Sequence, residues 1–284
     1  MKALRRIKWQ YALIGLLAAS AAAVGLLRPQ LVPTALSSVK KPSATDRIRQ
    51  SPPPALFGDA EITPIGLQAQ AQRRKADALF ARWRKEHGTV RDDAAFAAWA
   101  ARQVPAPPPA KARTAELRQV QKLAGTRTAA GRKAATWLEL NGKKDIWKLY
   151  LHDQRELVPV QRGTAEKAEL KSALKLAKTL SDQVAARDRQ PAPFVLDRTL
   201  RPEKHIKPGA TSPYSYPSSH AARSAAAVTI LAALSPHRAE DYRWMQDEVL
   251  YSRLYMAGHV ASDITAGTLL GDLIGDYEVA SAGH

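Results

Sequence analysis

Residues Thr164–Arg187 read TAEKAELKSALKLAKTLSDQVAAR, and this stretch decides the fold class. Leu170, Leu174, Ala177, Leu180 and Val184 recur at spacings of three and four, the period of one helix face, with Leu176 at its edge. Lys167, Lys171, Lys175 and Lys178 lie off that stripe and read as a solvated face. Thr164 is the expected N-cap.

The same period recurs on both sides. Upstream, Ile65-Gly66-Leu67 leads into a helical run that puts Leu79, Phe80 and Trp83 on one face and stops at Gly88. Asp92 to Val104 reads as a second helix with an aspartate start, broken by Pro105, Pro107, Pro108 and Pro109. Ala115 to Gly125, Thr128 to Asn141 and Lys144 to Leu157 follow as shorter helices, the middle one ending on Asn141-Gly142. Downstream of Arg189 comes an irregular connection, QPAPFVLDRTLRPEKHIKPGATSPYSYPSSH, of a length that is uncommon in compact domains and often functional. It leads to AARSAAAVTILAAL, apolar nearly all round and hence a buried helix, ended by Pro236. Ala239 to Met256, with Trp244, Val249 and Leu254 at apolar positions, and Val260 to Tyr277, with Leu269, Leu270, Leu273 and Ile274 inward, complete the chain. No strand pattern and no internal repeat interrupts this series, so the predicted class is all-α.

Bulk properties narrow the function. The 284 residues carry 43 Lys plus Arg against 26 Asp plus Glu, a net charge of +17, which favours anionic partners. The basic residues are spread along the chain without interleaved aromatics, so no nucleic-acid partner is expected. Cysteine is absent, which removes disulfides, a thiol nucleophile and cysteine metal sites. Lys2, Arg5, Arg6 and Lys8 precede an apolar run from Tyr11 to Leu27 that closes on Arg28-Pro29, the layout of an export signal. Ala19-Ser20-Ala21 suits cleavage, while the length of the run also suits a single-span tether. Export to a periplasmic or cell-envelope location is therefore expected, either secreted after cleavage or anchored. The expected organisation is a leader over 1–28, a Pro-rich spacer over 29–60, a helical region over 61–160 and a catalytic region over 161–284.

The chemistry gathers at two places. In YSRLYMAGHVASDITAG, Tyr251–Gly267, His259 and Asp263 are four apart, which on a helix puts them on adjacent turns of one face. Asp263 could then fix the imidazole tautomer and leave the other ring nitrogen to attack. In Tyr216-Pro217-Ser218-Ser219-His220, a serine caps the following helix, whose free N–H groups and positive dipole end suit a phosphate, with His220 beside them. Arg253 adds a permanently charged bidentate clamp. Nucleophile, orienter, proton donor and oxyanion stabilisers are all represented.

These two stretches resemble the second and third signatures of the type 2 phosphatidic acid phosphatase superfamily, which also holds the bacterial class A non-specific acid phosphatases and the vanadium haloperoxidases. The second, P-S-G-H, is matched by Pro217, Ser218 and His220, while Ser219 stands where the family has glycine, a departure that strains the chain if that position needs a positive φ. The third, S-R-x5-H-x3-D, is met by Ser252, Arg253, His259 and Asp263, with Ala266-Gly267 trailing as in the family. The resemblance runs from about Phe194 to Tyr277. It implies a helical bundle of the acid phosphatase and vanadium haloperoxidase type. It also implies in-line hydrolysis of a phosphorylated small molecule or lipid, with neither metal nor cofactor. His259 would form a phosphohistidine, Asp263 hold its other nitrogen, and His220 serve as acid and then base. Arg253, the Ser218 hydroxyl and the Ser219 backbone would hold the non-bridging oxygens. The first signature, K-x6-R-P, is incomplete. Arg201-Pro202 is present and Arg201 is the candidate phosphate ligand, yet Phe194 stands where the lysine belongs. Registering on Pro193-Phe194 instead places Ala185 and Ala192 at the two basic positions. The departures keep two alternatives open: a phosphate-ligand-binding or envelope protein without turnover, and a vanadate-dependent haloperoxidase.

Overall fold

The computed structural model describes residues 42–88, 90–155, 158–200 and 212–283. The leader, Leu157 and Arg201 lie outside the described residues. Among those described, every regular element is helical, and extended backbone pairs only at an isolated bridge between Pro191 and Tyr214. The chain is all-α, as its periodicity predicts.

The helices are α1 (Ala44–Gln50), α2 (Asp59–His87), α3 (Asp93–Gln103), α4 (Ala110–Gly125), α5 (Ala129–Asn141) and α6 (Asp145–Arg155). They continue as α7 (Val160–Asp188), the single turn α8 (Pro193–Leu196), α9 (Ser219–Leu234), α10 (Ala239–Tyr255) and α11 (Ala261–Ala282). None of the described helices is long and apolar enough to cross a membrane. Helix α7 buries Leu170, Leu174, Ala177, Leu180 and Val184, the stripe read from the sequence. It starts one turn earlier than expected, after Pro159, because proline needs no N–H partner at a helix entrance. Thr164 is therefore interior, its hydroxyl donating to the Val160 carbonyl at 2.8 Å.

At the centre, α9 and α11 lie against each other along small residues. Gly267, Gly271 and Gly275 recur every four positions on α11, and a methyl group on each would meet Ser218, Ala222 and Thr229 respectively within 2.5 Å. This close approach explains why the α9 stretch is rich in alanine. Helices α2, α7 and α10 wrap the pair. One apolar cluster joins Trp137, Leu138 and Trp147 to Leu170, Leu231, Tyr242 and Val249. A second joins Phe80, Trp83 and Phe96 to Leu180, Ile230, Leu273 and Tyr277.

Those clusters cross the expected regional boundaries. The described residues from Ala44 onward form one compact unit, and helices before residue 160 share apolar clusters with helices after it. The spacer expected over 29–60 contains α1, and it buries Ile48 and Phe57. The Phe57 ring centroid lies 4.8 Å from that of Tyr251 and 4.9 Å from that of Tyr255. Burying one such ring stabilises by roughly 1.5–3 kcal/mol, which anchors a segment whose prolines conceal its packing. Helix α2 begins at Asp59 rather than near Ile65, with the Glu61 carboxylate accepting from the Gly58 N–H at 3.0 Å. Trp244, expected among apolar positions, is 40% exposed, and its indole N–H donates to Asp59 at 3.2 Å.

Candidate active site

The heads of α9 and α11 are tied together. Ser218 is the N-cap of α9, its hydroxyl accepting from the Ala221 N–H at 3.4 Å, while its own N–H donates to the Asp263 carbonyl at 2.8 Å. Ser219 is the first residue of α9 and has no positive φ, so serine sits there without the strain that a left-handed position would impose. His220 follows, 5% exposed.

His259 lies in the turn between α10 and α11, just before the helix expected from Val260, so the one-face geometry that its spacing to Asp263 would give on a helix does not apply. The turn includes Ala257 at φ 53, a left-handed conformation that costs an L-residue about 1 kcal/mol and here reverses the chain to aim His259. The imidazole Nδ1 is 2.9 Å from the Ser215 carbonyl oxygen. A carbonyl can only accept, so Nδ1 carries the proton and Nε2 keeps its lone pair. Asp263 stands farther off, 3.7 Å from Nδ1. Its oxygens are taken by the Arg113 guanidinium at 2.8 Å and by the Val260 N–H at 3.0 Å, the latter capping α11. The backbone of Ser215 therefore fixes the tautomer, and Asp263 contributes as a buried charge beside the ring.

A cavity of about 310 Å³ opens over these groups. Of the residues singled out in the sequence, Ser219, His220, Arg253 and His259 line it. Ser218 and Asp263, both 0% exposed, are behind its wall. The Ser218 hydroxyl is engaged in its helix cap.

The wall also holds Lys143, Lys178 and Arg223, none of which the signatures identify. Lys178 precedes Ala185 by two helix turns on α7, so both face the cavity. Its amphipathic position marked it as solvated surface, and the seven-residue interval to the missing lysine position was the available clue. Arg223 lies one turn after His220 on α9. With Arg253, four cations face two carboxylates, Glu139 and Asp182. Glu139, on the last turn of α5, ion-pairs with Arg253 and lies 3.3 Å from the Lys143 ammonium.

The electrostatics follow from burial and this cationic excess. Burial lowers the Lys143 pKa, reinforced by Arg223 and Lys178. Burial lowers that of Arg223, with Asp182 opposing, and pushes Arg253 down to about 10. His220 is held well below its ordinary value by burial, then by Lys143, His259 and Arg223. Burial also lowers His259, partly offset by Asp263 and deepened by Arg253. Both imidazoles are thus neutral near pH 7. For Asp263, burial pulls upward, yet His259 and Arg113 outweigh it and the carboxylate stays ionised.

Helix α4 supports the site from outside. Arg113 reaches Asp263, and the Glu116 carboxylate accepts from the Ser262 N–H at 2.9 Å and hydroxyl at 2.7 Å. Their spacing of three puts both on one face of α4, the only trace they leave in the sequence.

Two histidines, an arginine and a capped helix head facing one cationic cavity are the arrangement implied by the signatures. Residues 184–277 match the PAP2 superfamily. The matched segment begins near the end of α7 and ends within α11, in agreement with the resemblance to the type 2 phosphatidic acid phosphatase superfamily. Everything before residue 184, including Arg113, Glu116, Glu139, Lys143 and Lys178, lies outside the matched segment. No curated protein and no solved structure matches the chain.

Proposed function

We propose that the chain is a phosphohydrolase that cleaves phosphate monoesters, of small molecules or lipids, through a phosphohistidine on His259. The observation that carries this reading is the hydrogen bond from His259 Nδ1 to the Ser215 carbonyl, at 2.9 Å, which leaves a neutral Nε2 nucleophile at a cationic cavity. The PAP2 match supports phosphatase-type chemistry.

The steps balance as follows. The phosphoryl group settles among Arg253, Lys143, Lys178, Arg223 and the head of α9. Its negative charge offsets the cations that depress His220, which then takes up a proton. The His259 Nε2 lone pair attacks phosphorus, the bond to the ester oxygen breaks, and His220 gives its proton to that oxygen. Neutral His220 then removes a proton from water, the water oxygen attacks phosphorus, and the P–N bond breaks to release inorganic phosphate. Asp263, ionised beside His259, stabilises the positive charge that the ring carries in the intermediate.

The leader over 1–28 supports an exported protein, cleaved or tethered. The test of the catalytic reading is turnover of a generic aryl phosphate by the full chain and by His259→Ala. Turnover is expected to fall to the uncatalysed level, and unchanged turnover would refute the role of His259.

A further inference from the structure

Two residues of the cavity, Glu139 and Asp182, have the wrong sign for a phosphate site, and Glu139 is the one paired with the Arg253 clamp. Glu139 is 9% exposed and Arg253 5%, and their side chains form an ion pair against the cavity. The same carboxylate approaches the Lys143 ammonium at 3.3 Å and His220 Nε2 at 3.8 Å. The backbone carbonyl of Glu139 separately accepts from His220 Nε2 at 3.3 Å. The side chain therefore engages the clamp while the main chain orients the imidazole.

We propose that the Glu139 carboxylate is an internal occupant of the phosphate seat, which an incoming phosphoryl group must displace from Arg253 and Lys143. This inference rests on the phosphohydrolase reading and deepens it. It makes Glu139 a determinant of how tightly the site holds a free phosphate.

Three observations support displacement rather than a permanent structural pair. First, one carboxylate cannot satisfy its surroundings. Among the described residues, Arg253 Nε and Arg223 Nε are buried with no hydrogen-bond partner. A phosphoryl group brings three non-bridging oxygens and up to two charges where the carboxylate brings two oxygens and one. Second, the cations outnumber the carboxylates at the cavity, so an added anion is attracted even with Glu139 in place. Third, Glu139 lies in the last turn of α5, and turning its side chain about its own bonds withdraws the carboxylate while leaving the carbonyl on His220.

The consequence is competition built into the protein. Every phosphate-bearing ligand meets the same competition from the Glu139 carboxylate, and orthophosphate has no organic group with which to offset it. The free product is therefore held weakly and leaves readily, whereas an ester can regain affinity through contacts of its organic portion. Because Glu139 comes from a helix outside the matched segment, the N-terminal helices set this property.

The test is titration of inorganic phosphate into the full chain by calorimetry, for wild type, Glu139→Gln and Glu139→Ala. Both variants are expected to bind phosphate at least about tenfold more tightly than wild type, and to show inhibition of aryl phosphate turnover by correspondingly lower phosphate concentrations. Removing the carboxylate leaves Arg253 buried without its partner, so the variants are also measured by thermal unfolding. Phosphate is expected to raise their unfolding temperature more than that of wild type, since the ion replaces the missing charge. A phosphate affinity that is unchanged or weaker in both variants, or an equal thermal response in all three proteins, would overturn the proposal. Binding is read without turnover, so this outcome is separate from the His259→Ala test.

Discussion

The seam between α9 and α11 offers a test of the site that touches no catalytic group. In Gly267→Ala, the new methyl carbon would stand 2.3 Å from the Ser218 carbonyl oxygen and 3.0 Å from the Ala221 methyl. Such carbons essentially never approach closer than 3.0 Å, so the heads of the two helices must part by about 0.7 Å. The obstacle is backbone rather than a side chain that can swing away. Overpacking of this kind costs about 1–3 kcal/mol. The displacement also separates the elements that carry His220 and His259, and a misplacement near 1 Å costs on the order of 10²-fold in rate. The assay is steady-state turnover of an aryl phosphate together with thermal unfolding. The expected result is a lowered unfolding temperature and a kcat reduced roughly 10–100-fold, with helical content retained. Gly125→Ala is the control, since a methyl group there meets nothing within 4 Å and should leave both quantities near wild type. A Gly267→Ala variant with wild-type unfolding temperature and kcat would refute the claim that this seam sets the site geometry.

Arg113→Met removes the partner of a carboxylate that is 0% exposed, so a loss of about 3 kcal/mol is expected, with kcat lowered because Asp263 is no longer held ionised beside His259. Chemical denaturation and turnover check it, and partial recovery in Arg113→Lys would fit a charge role. A pH series isolates His220. Its folded pKa lies below the ordinary 6.5, so the unfolded chain takes up a proton first and this group's contribution to stability is lost as pH falls below about 6.5. Asp272, pushed up to about 7 by burial, acts with the opposite sign, so the His220 contribution is read as a difference. Between about pH 7.5 and 5, wild type should lose more stability than His220→Gln, and equal losses would mean that the imidazole is not desolvated.

What the sequence reveals depends on how far apart the interacting residues are. The α7 stripe is legible because Leu170 to Val184 fall within one helix and share one period. The His259 and Asp263 pair is legible as a spacing, and the break between the helices ending at Met256 and starting at Val260 is read to within one residue of the observed ends, yet the sequence does not say that the Ser215 carbonyl, 44 residues away, takes the His259 Nδ1 proton. Trp244 follows the helical period but is satisfied at the surface by Asp59, far away in sequence. Arg113 and Glu116 leave only their spacing of three, and Glu139 only its i,i+4 relation to Lys143, since the partners that matter, Asp263, Ser262 and Arg253, are each more than a hundred residues distant. Lys178 is the intermediate case, placed on the right face but indistinguishable from its solvated neighbours until the cavity is seen.

The Arg113–Asp263 contact spans 150 residues of chain, and Glu116–Ser262 spans 146. Individual helices can form from local contacts in about a microsecond, whereas closing such long loops is slow and entropically costly. The candidate site, whose Asp263 and Ser262 are held by these contacts, is therefore expected to assemble after the helices themselves. Helical signal and catalytic competence should return at different times after dilution from denaturant, and any phosphatase activity would report on the completed molecule rather than on its secondary structure.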